Sequence, residues 1–368
     1  MRYIKMLFLL LFACLLVSPT VAQEAALTSV GRHAIPPHGS SVAKPNAPSA
    51  REQPTCREHF NPRFVTSFRW NSKVQQWPES LAIDTAGNMY VSITDYFANG
   101  ADDVGYVVKV SPDGRKKVIA SIPDLSGWGF LAGVALDERG RLYVNVVNDS
   151  PGVYRVEDDG KLVLELSLSD CSTPNGIVFH EGEMYVTDSS YNCTCGAIWK
   201  KGRHDTSAPA MPWYSDCDLI APGSLYGLGA NGIAFYRGEM YVGVYDTVGN
   251  DWGRIVRFPI THDGSPGEPV VVAEDPDLVL VDGIAFDVTG KLWIVTNYND
   301  LGTVALDGTV TLLANDPGCL DDPTMVAFGA TPETRTRLFV TNGGGTSLAG
   351  DVLSLEVHMS GVPLPPLR

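Results

Sequence analysis

Positive charge is scarce in this sequence: 27 Lys and Arg stand against 42 Asp and Glu, a formal net charge of −15. That deficit excludes nucleic acid and anionic membranes as natural partners, and it suits a chain that attracts cations. Long apolar runs are also missing. Beyond the N-terminus no segment approaches the roughly 20 residues that span a bilayer. Sulfur and imidazole metal patterns are absent as well. Cys193-x-Cys195 has no second CxxC or His pair near it, so it is no zinc signature. No stretch carries a helical period for more than a turn. What is plentiful is turn chemistry: 37 Gly and 25 Pro in 368 residues favour many short strands.

The N-terminus has the layout of an export signal. Arg2 and Lys5 precede the apolar run from Met6 to Val17, and Thr20-Val21-Ala22 offers small residues before a cut at Gln23. Residues 1–22 are therefore expected to be a cleavable signal peptide, and the protein to be secreted, extracellular or periplasmic. The box Leu11-Phe12-Ala13-Cys14 faintly matches a lipoprotein cleavage site, but Phe12 fits it poorly. Residues 23–55 are rich in Ser, Pro and Ala without an apolar period and read as a disordered tail. Residues 56–368 form the folded part. Six cysteines remain after cleavage, Cys56, Cys171, Cys193, Cys195, Cys217 and Cys319. An even number in an oxidising compartment predicts disulfides, in pairings the sequence leaves open. Asn148-Asp149-Ser150 and Asn192-Cys193-Thr194 are sequons that a eukaryotic source would glycosylate.

The folded part repeats. Segments starting at Ser80, Gly133, Gly176, Gly232, Gly283 and Met325 each run as apolar strand, tight turn, second apolar strand, with starts 42–56 residues apart. A third strand follows each pair, at Gly105, Gly152, Gly196, Gly253, Gly302 and Gly350, and a fourth follows most of them. Strand repeats at that period predict a propeller rather than a helical solenoid. The fold class is all-β, a six-bladed β-propeller with four-stranded blades. The last repeat lacks a fourth strand, while Arg63 to Trp70 precedes the first repeat with nothing to pair with. This N-terminal strand is expected to close the ring, leaving no bare edge.

The residues just before the six innermost strands are Glu79, Ala132, Asn175, Asn231, Asp282 and Thr324. Symmetry places them at one level on one face, around the central axis. Four carry side-chain oxygens, and four such oxygens converging on an axis make a cage for a hard cation. Ca2+ takes six to eight oxygens in irregular geometry, and Glu79 and Asp282 would balance its charge. Zn2+ or Mn2+ can also occupy such a cage, although transition metals favour His or Cys. The plainer account is that Asn-Gly and Asp-Gly are ordinary turn sequences. Glu79 in Pro-Glu-Ser does not fit that account.

With these residues in view, the chain resembles the regucalcin/gluconolactonase family, which includes luciferin-regenerating enzyme. These are six-bladed propellers related in architecture to diisopropylfluorophosphatase and the paraoxonases. The resemblance covers roughly residues 62 to 358. It implies a metal held by a Glu before the first inner strand and by Asn, Asn and Asp before the third, fourth and fifth, matched here by Glu79, Asn175, Asn231 and Asp282. Blades two and six supply no ligand in the family and carry Ala132 and Thr324 here. The resemblance further implies Asp282 as catalytic base or nucleophile and a lactone or ester as substrate. One position departs: an Arg that touches sugar-lactone substrates is replaced by Thr173.

Asp95, Asn148, Asp188, Asp246 and Asn297 end second strands on the same face and are candidates for the pocket wall, with loop capping as the alternative. His180, at a turn on the opposite face, is expected to be solvated. The loops bearing Cys171, Cys193, Cys195, Cys217 and Cys319 all fall on the metal face, so disulfides should brace its rim. The expected partner is a small-molecule lactone or ester bound by a monomer. The rival reading is a non-catalytic ligand- or protein-binding propeller with a structural Ca2+, since fold alone does not imply catalysis. A metal-independent, strictosidine-synthase-like propeller is a third reading, opposed by the four oxygen donors.

Overall fold

A computed structural model of the chain describes residues 55–69, 74–97, 103–123, 125, 129–169, 172–191, 195–202, 211–217, 219–220, 229–245, 252–315, 319–344 and 350–363. Residues 1–54, which include the expected signal peptide and most of the expected tail, and Cys171, Asn192, Cys193 and Asp246 lie outside the described residues.

The chain opens with a single helical turn, α1 (Cys56–Phe60), and then β1 (Arg63–Ser67). Blade one follows as β2 (Val74–Ile83), β3 (Met89–Phe97), β4 (Val104–Val110) and β5 (Lys116–Ile122). Blade two is β6 (Phe130–Leu136), β7 (Leu142–Val147), β8 (Gly152–Val156) and β9 (Leu162–Ser167). Blade three is β10 (Pro174–His180), β11 (Glu183–Tyr191), β12 (Cys195–Lys201) and β13 (Tyr214–Asp216). Blade four is β14 (Ala230–Tyr236), β15 (Glu239–Val244), β16 (Gly253–Phe258) and β17 (Val270–Asp275). Blade five is β18 (Val281–Phe286), β19 (Leu292–Thr296), β20 (Asp300–Val304) and β21 (Val310–Asn315). Blade six has β22 (Pro323–Phe328), β23 (Arg337–Asn342) and β24 (Asp351–Glu356). Each blade is a four-stranded antiparallel sheet, and β1 completes blade six beside β24. Six four-stranded blades in a ring make a six-bladed β-propeller, closed as the sequence predicts.

Why these segments form strands is plain from their composition. Runs such as Met184-Tyr185-Val186-Thr187 put branched and aromatic side chains on a pleated surface. Tight turns join them, as at Asp84 to Asn88, where the Asp84 carboxylate accepts from the amides of Ala86 and Asn88. Both faces of each blade are covered by neighbours, so apolar residues form one cluster between every adjacent pair. The cluster between blades five and six also takes in Cys56 and Phe60 of α1. Among the described residues no helix is long and apolar enough to cross a membrane.

Among the described residues two disulfides sit on the face where the inner strands begin. Cys195–Cys217 ties the start of β12 to the end of β13. Cys56–Cys319 ties α1 to the loop between blades five and six, across 263 residues of sequence. His180 departs from expectation: it is half-buried and stacked on Phe235 of the next blade, with ring centroids 4.0 Å apart, because the inner-strand turn packs against its neighbour rather than facing water.

Candidate functional site

The six pre-strand positions lie inside the inner strands, not in turns. At each of them the pairing with the second strand shifts register, between Pro78 and Ser80, Leu131 and Val134, Pro174 and Ile177, Ala230 and Ile233, Val281 and Ile284, and Pro323 and Met325. Such a bulge re-aims a side chain, here toward the propeller axis. The glycine that follows the ring residue has a separate reason. A Cβ on Gly133, Gly176 or Gly232 would come within 2.3, 2.6 or 2.1 Å of the carbonyl oxygen of Asn175, Asn231 or Asp282 on the next blade. Asn-Gly and Asp-Gly therefore reflect crowding at the axis rather than turn preference.

Glu79, Asn175, Asn231, Asp282 and Thr324 line one axial cavity of about 30 Å³, with Gly133 representing blade two. All four oxygen-bearing candidates are brought together. A larger open groove of about 690 Å³ lies on the outer edge of blades three and four, but its Arg254 and Glu274 pair with each other.

A belt of polar side chains, on second strands in blades one to three, just after β19 in blade five and on the inner strand of blade six, holds the ring. Ser92 accepts from the Ser80 amide at 3.0 Å and donates to the Ala132 carbonyl at 2.6 Å. Asn145 donates to the Asn175 carbonyl at 2.7 Å, and Thr187 to that of Asn231. Asn297 donates to the Pro323 carbonyl at 3.1 Å, and Thr324 to that of Pro78 at 3.1 Å. Each blade thus grips the bulged backbone of the next one. Blade four is the exception, with Gly243 at the equivalent place packed against Val281. The sequence signal was available: Ser92, Asn145, Thr187 and Thr341 are polar residues in one column of otherwise apolar second strands.

Electrostatics follow from burial. The Glu79 carboxyl is pushed up to about 7 by burial, while the Trp77 indole, donating to it at 2.7 Å, works the other way. Burial and then the charge of Glu79 drive Asp282 well above the usual carboxylate range, opposed by amide donation from Asn297 at 3.2 Å and from Asn231. Burial, Asp321 and Glu79 push Asp322 up to about 8. Tyr245 stays a neutral phenol because burial and the charges of Asp282, Asp322 and Glu79 all raise it. Tyr96 is raised by burial and by Glu79.

Asp322, Tyr96 and Tyr245 were not legible as site residues. Asp95 and Asp188 sit one residue from Tyr96 and Ser189, which reach the ring, since alternate strand side chains face opposite ways. Asp188 is buried away from the axis and accepts from Thr173, Ser190 and the Trp199 indole. Asp95 is buried near Gln76, with one carboxylate oxygen lacking a partner. Asn148 caps Ser150. Of the described candidates, Asn297 alone touches the ring.

The donor set fits a hard cation. No Lys, Arg or His lines the axial cavity, which the carboxylates of Glu79 and Asp282 share with the amides of Asn175 and Asn231. Among the described residues no three His, Cys, Asp or Glu side chains form a site, so the amides are essential to this one. Oxygen donors in a ring of this kind suit Ca2+.

No protein-family model matches the chain, and no curated protein matches it. Solved structures do. Luciferin-regenerating enzyme is 13% identical, covering 80% of this chain and 96% of its own, with TM-score 0.51. An oxidoreductase described as a glucose dehydrogenase, from Thermus thermophilus, is 16% identical over 80% and 99%, with TM-score 0.56. An α-L-arabinanase of Penicillium chrysogenum, complexed with arabinobiose, is 10% identical over 80% and 96%, with TM-score 0.55. These likenesses carry the propeller fold, and the neighbours that share it include enzymes.

Proposed function

We propose that the protein is an exported, calcium-dependent hydrolase of esters or lactones, with the ion held by Glu79, Asn175, Asn231 and Asp282. One observation carries this reading: two carboxylates and two amides line a single axial cavity that holds no basic side chain. When bound, Ca2+ supplies polarisation of the ester carbonyl and stabilisation of the charge that develops on its oxygen. Asp282 would take a proton from the attacking water, and amide donation from Asn297 and Asn231 to its carboxylate supports that role. Addition of water to the carbonyl and departure of the alkoxide, which regains the proton, give a carboxylic acid and an alcohol, or a hydroxy acid from a lactone. The Thr173 amide donates to Asp188 at 2.8 Å, and its short uncharged side chain lacks the guanidinium that an Arg would offer a substrate there. A sugar lactone is therefore not singled out among esters. The two disulfides support export to an oxidising compartment.

The test is hydrolysis of a lactone, aryl ester and phosphotriester panel with Ca2+ and with chelator. Asp282→Asn should lower turnover by about 100-fold or more. Full turnover and full metal binding in that variant would remove Asp282 from the mechanism. Calcium binding without turnover on any substrate would favour the non-catalytic binding propeller.

A further inference from the structure

Glu79 is tied to a residue of its own strand. The Trp77 indole N–H donates to the Glu79 Oε2 at 2.7 Å, and Trp77 is itself buried. An indole has a single proton to give, so this bond is undivided. The other ring carboxylate has a looser counterpart. Asn297 reaches Asp282 at 3.2 Å with an amide that also serves the Pro323 carbonyl. The shorter bond is the firmer constraint.

Blade six builds the seat of the indole, at the seam where the ring closes. A Cβ on Gly343 would lie 2.5 Å from the Trp77 Cη2 and Cζ2, and one on Gly350 would lie 2.4 Å from the Pro78 Cδ. The Pro78 carbonyl accepts from the Thr324 hydroxyl at 3.1 Å. On the other side Trp77 pairs with Thr94, whose hydroxyl accepts from the Leu131 amide of blade two at 3.0 Å. Trp77, Pro78 and Glu79 are thus fixed between blades six and two.

A neutral donor suits this position. It satisfies one carboxylate oxygen and leaves the full negative charge for a cation, which a Lys or Arg there would offset. Partners that orient a ligand in this way change metal affinity by about 10- to 100-fold. We infer that Trp77 is a positioning residue for the metal, holding one Glu79 oxygen so that the other is presented to the axial cavity. This rests on the ring being a cation site, and its test does not read turnover.

Ca2+ is titrated calorimetrically into the full chain and into Trp77→Phe, which keeps an apolar ring and removes the donor. The variant should bind Ca2+ at least about tenfold more weakly. Val352→Ala is the control, since Val352 is fully buried in the cluster between blades six and one. It should lose stability and keep its Ca2+ affinity within about twofold. If Trp77→Phe does not fold, benzothienylalanine in place of Trp77 keeps the bicyclic shape without the N–H. A spectroscopic signature locates the ion: the indole N–H resonance that the substitution deletes should move when Ca2+ is added to the unaltered chain. Affinity unchanged on losing the N–H overturns the inference, and so does an equal loss in Val352→Ala. An indole resonance indifferent to bound Ca2+, or no Ca2+ binding at all, overturns it together with the ring site. Hydrolysis is followed separately. Trp77-dependent Ca2+ binding without turnover of any ester refutes the hydrolase and keeps the inference, whereas calcium-dependent turnover that Trp77→Phe leaves intact at limiting Ca2+ does the reverse.

Discussion

Acidification should stabilise this protein when calcium is removed, the reverse of the behaviour of most carboxylate-bearing folds. The perturbation is chelation followed by a change from pH 8 to pH 5. Glu79 is lifted by burial from 4.5 to about 7. A carboxyl raised in the folded state contributes stability that is fully present below its unfolded value and is lost as pH rises through its folded value. For Glu79 alone the linkage gives about 2–3 kcal/mol more stability at pH 5 than at pH 8. Asp322, lifted to about 8, and Asp282, raised well above its usual range, act in the same direction. Glu79 by itself should raise the unfolding midpoint by roughly 5 °C. Excess Ca2+ should remove most of the dependence, because a cation favours the ionised carboxylates. The assay is thermal unfolding by circular dichroism across that pH range, with chelator and with calcium, on the unaltered chain and on Glu79→Gln. A chelated protein that loses stability on acidification would refute the reasoning. So would identical pH profiles with and without calcium, since the axial carboxylates would then not be the groups in question.

Three substitutions probe the frame around the ring. Thr187→Val leaves the buried Asn231 carbonyl without its donor. It should cost about 1–3 kcal/mol in urea unfolding and weaken calcium binding by about tenfold. Gly232→Ala would place a methyl 2.1 Å from the Asp282 carbonyl oxygen and should cost about 3 kcal/mol, with the unfolding midpoint as readout. Cys56→Ser opens a bridge spanning 263 residues and should cost about 3–5 kcal/mol; equal stability under oxidising conditions would show that α1 contributes little to closure.

The fold was legible because it is a local pattern repeated. Apolar strands, tight turns and periodic starts recur six times, and each blade reproduces the same short-range preferences. The ring was legible for the same reason, since symmetry converts one alignment column into one level on the axis. The column of Ser92, Asn145, Thr187 and Thr341 carried equal information, and its meaning depended on contacts made only on folding: the first three reach carbonyls across a blade boundary, and Thr341 bonds the Thr324 hydroxyl within blade six.

The sequence by itself determined the blades, their number, the closing strand and the four oxygen-bearing positions, because strand propensity and repeat spacing are properties of the chain. Tertiary structure alone decided how those positions act. The bulges that turn Glu79 and Asp282 to the axis, the glycines that let blades crowd there, and the placing of Asp322 and Tyr245 beside the ring arise from contacts between blades far apart in sequence. The pairing of Cys56 with Cys319 is of the same kind, since closure of the ring by β1 brings α1 to the loop between blades five and six. A carboxylate takes its proton affinity from its surroundings, and those surroundings exist only once the ring has closed.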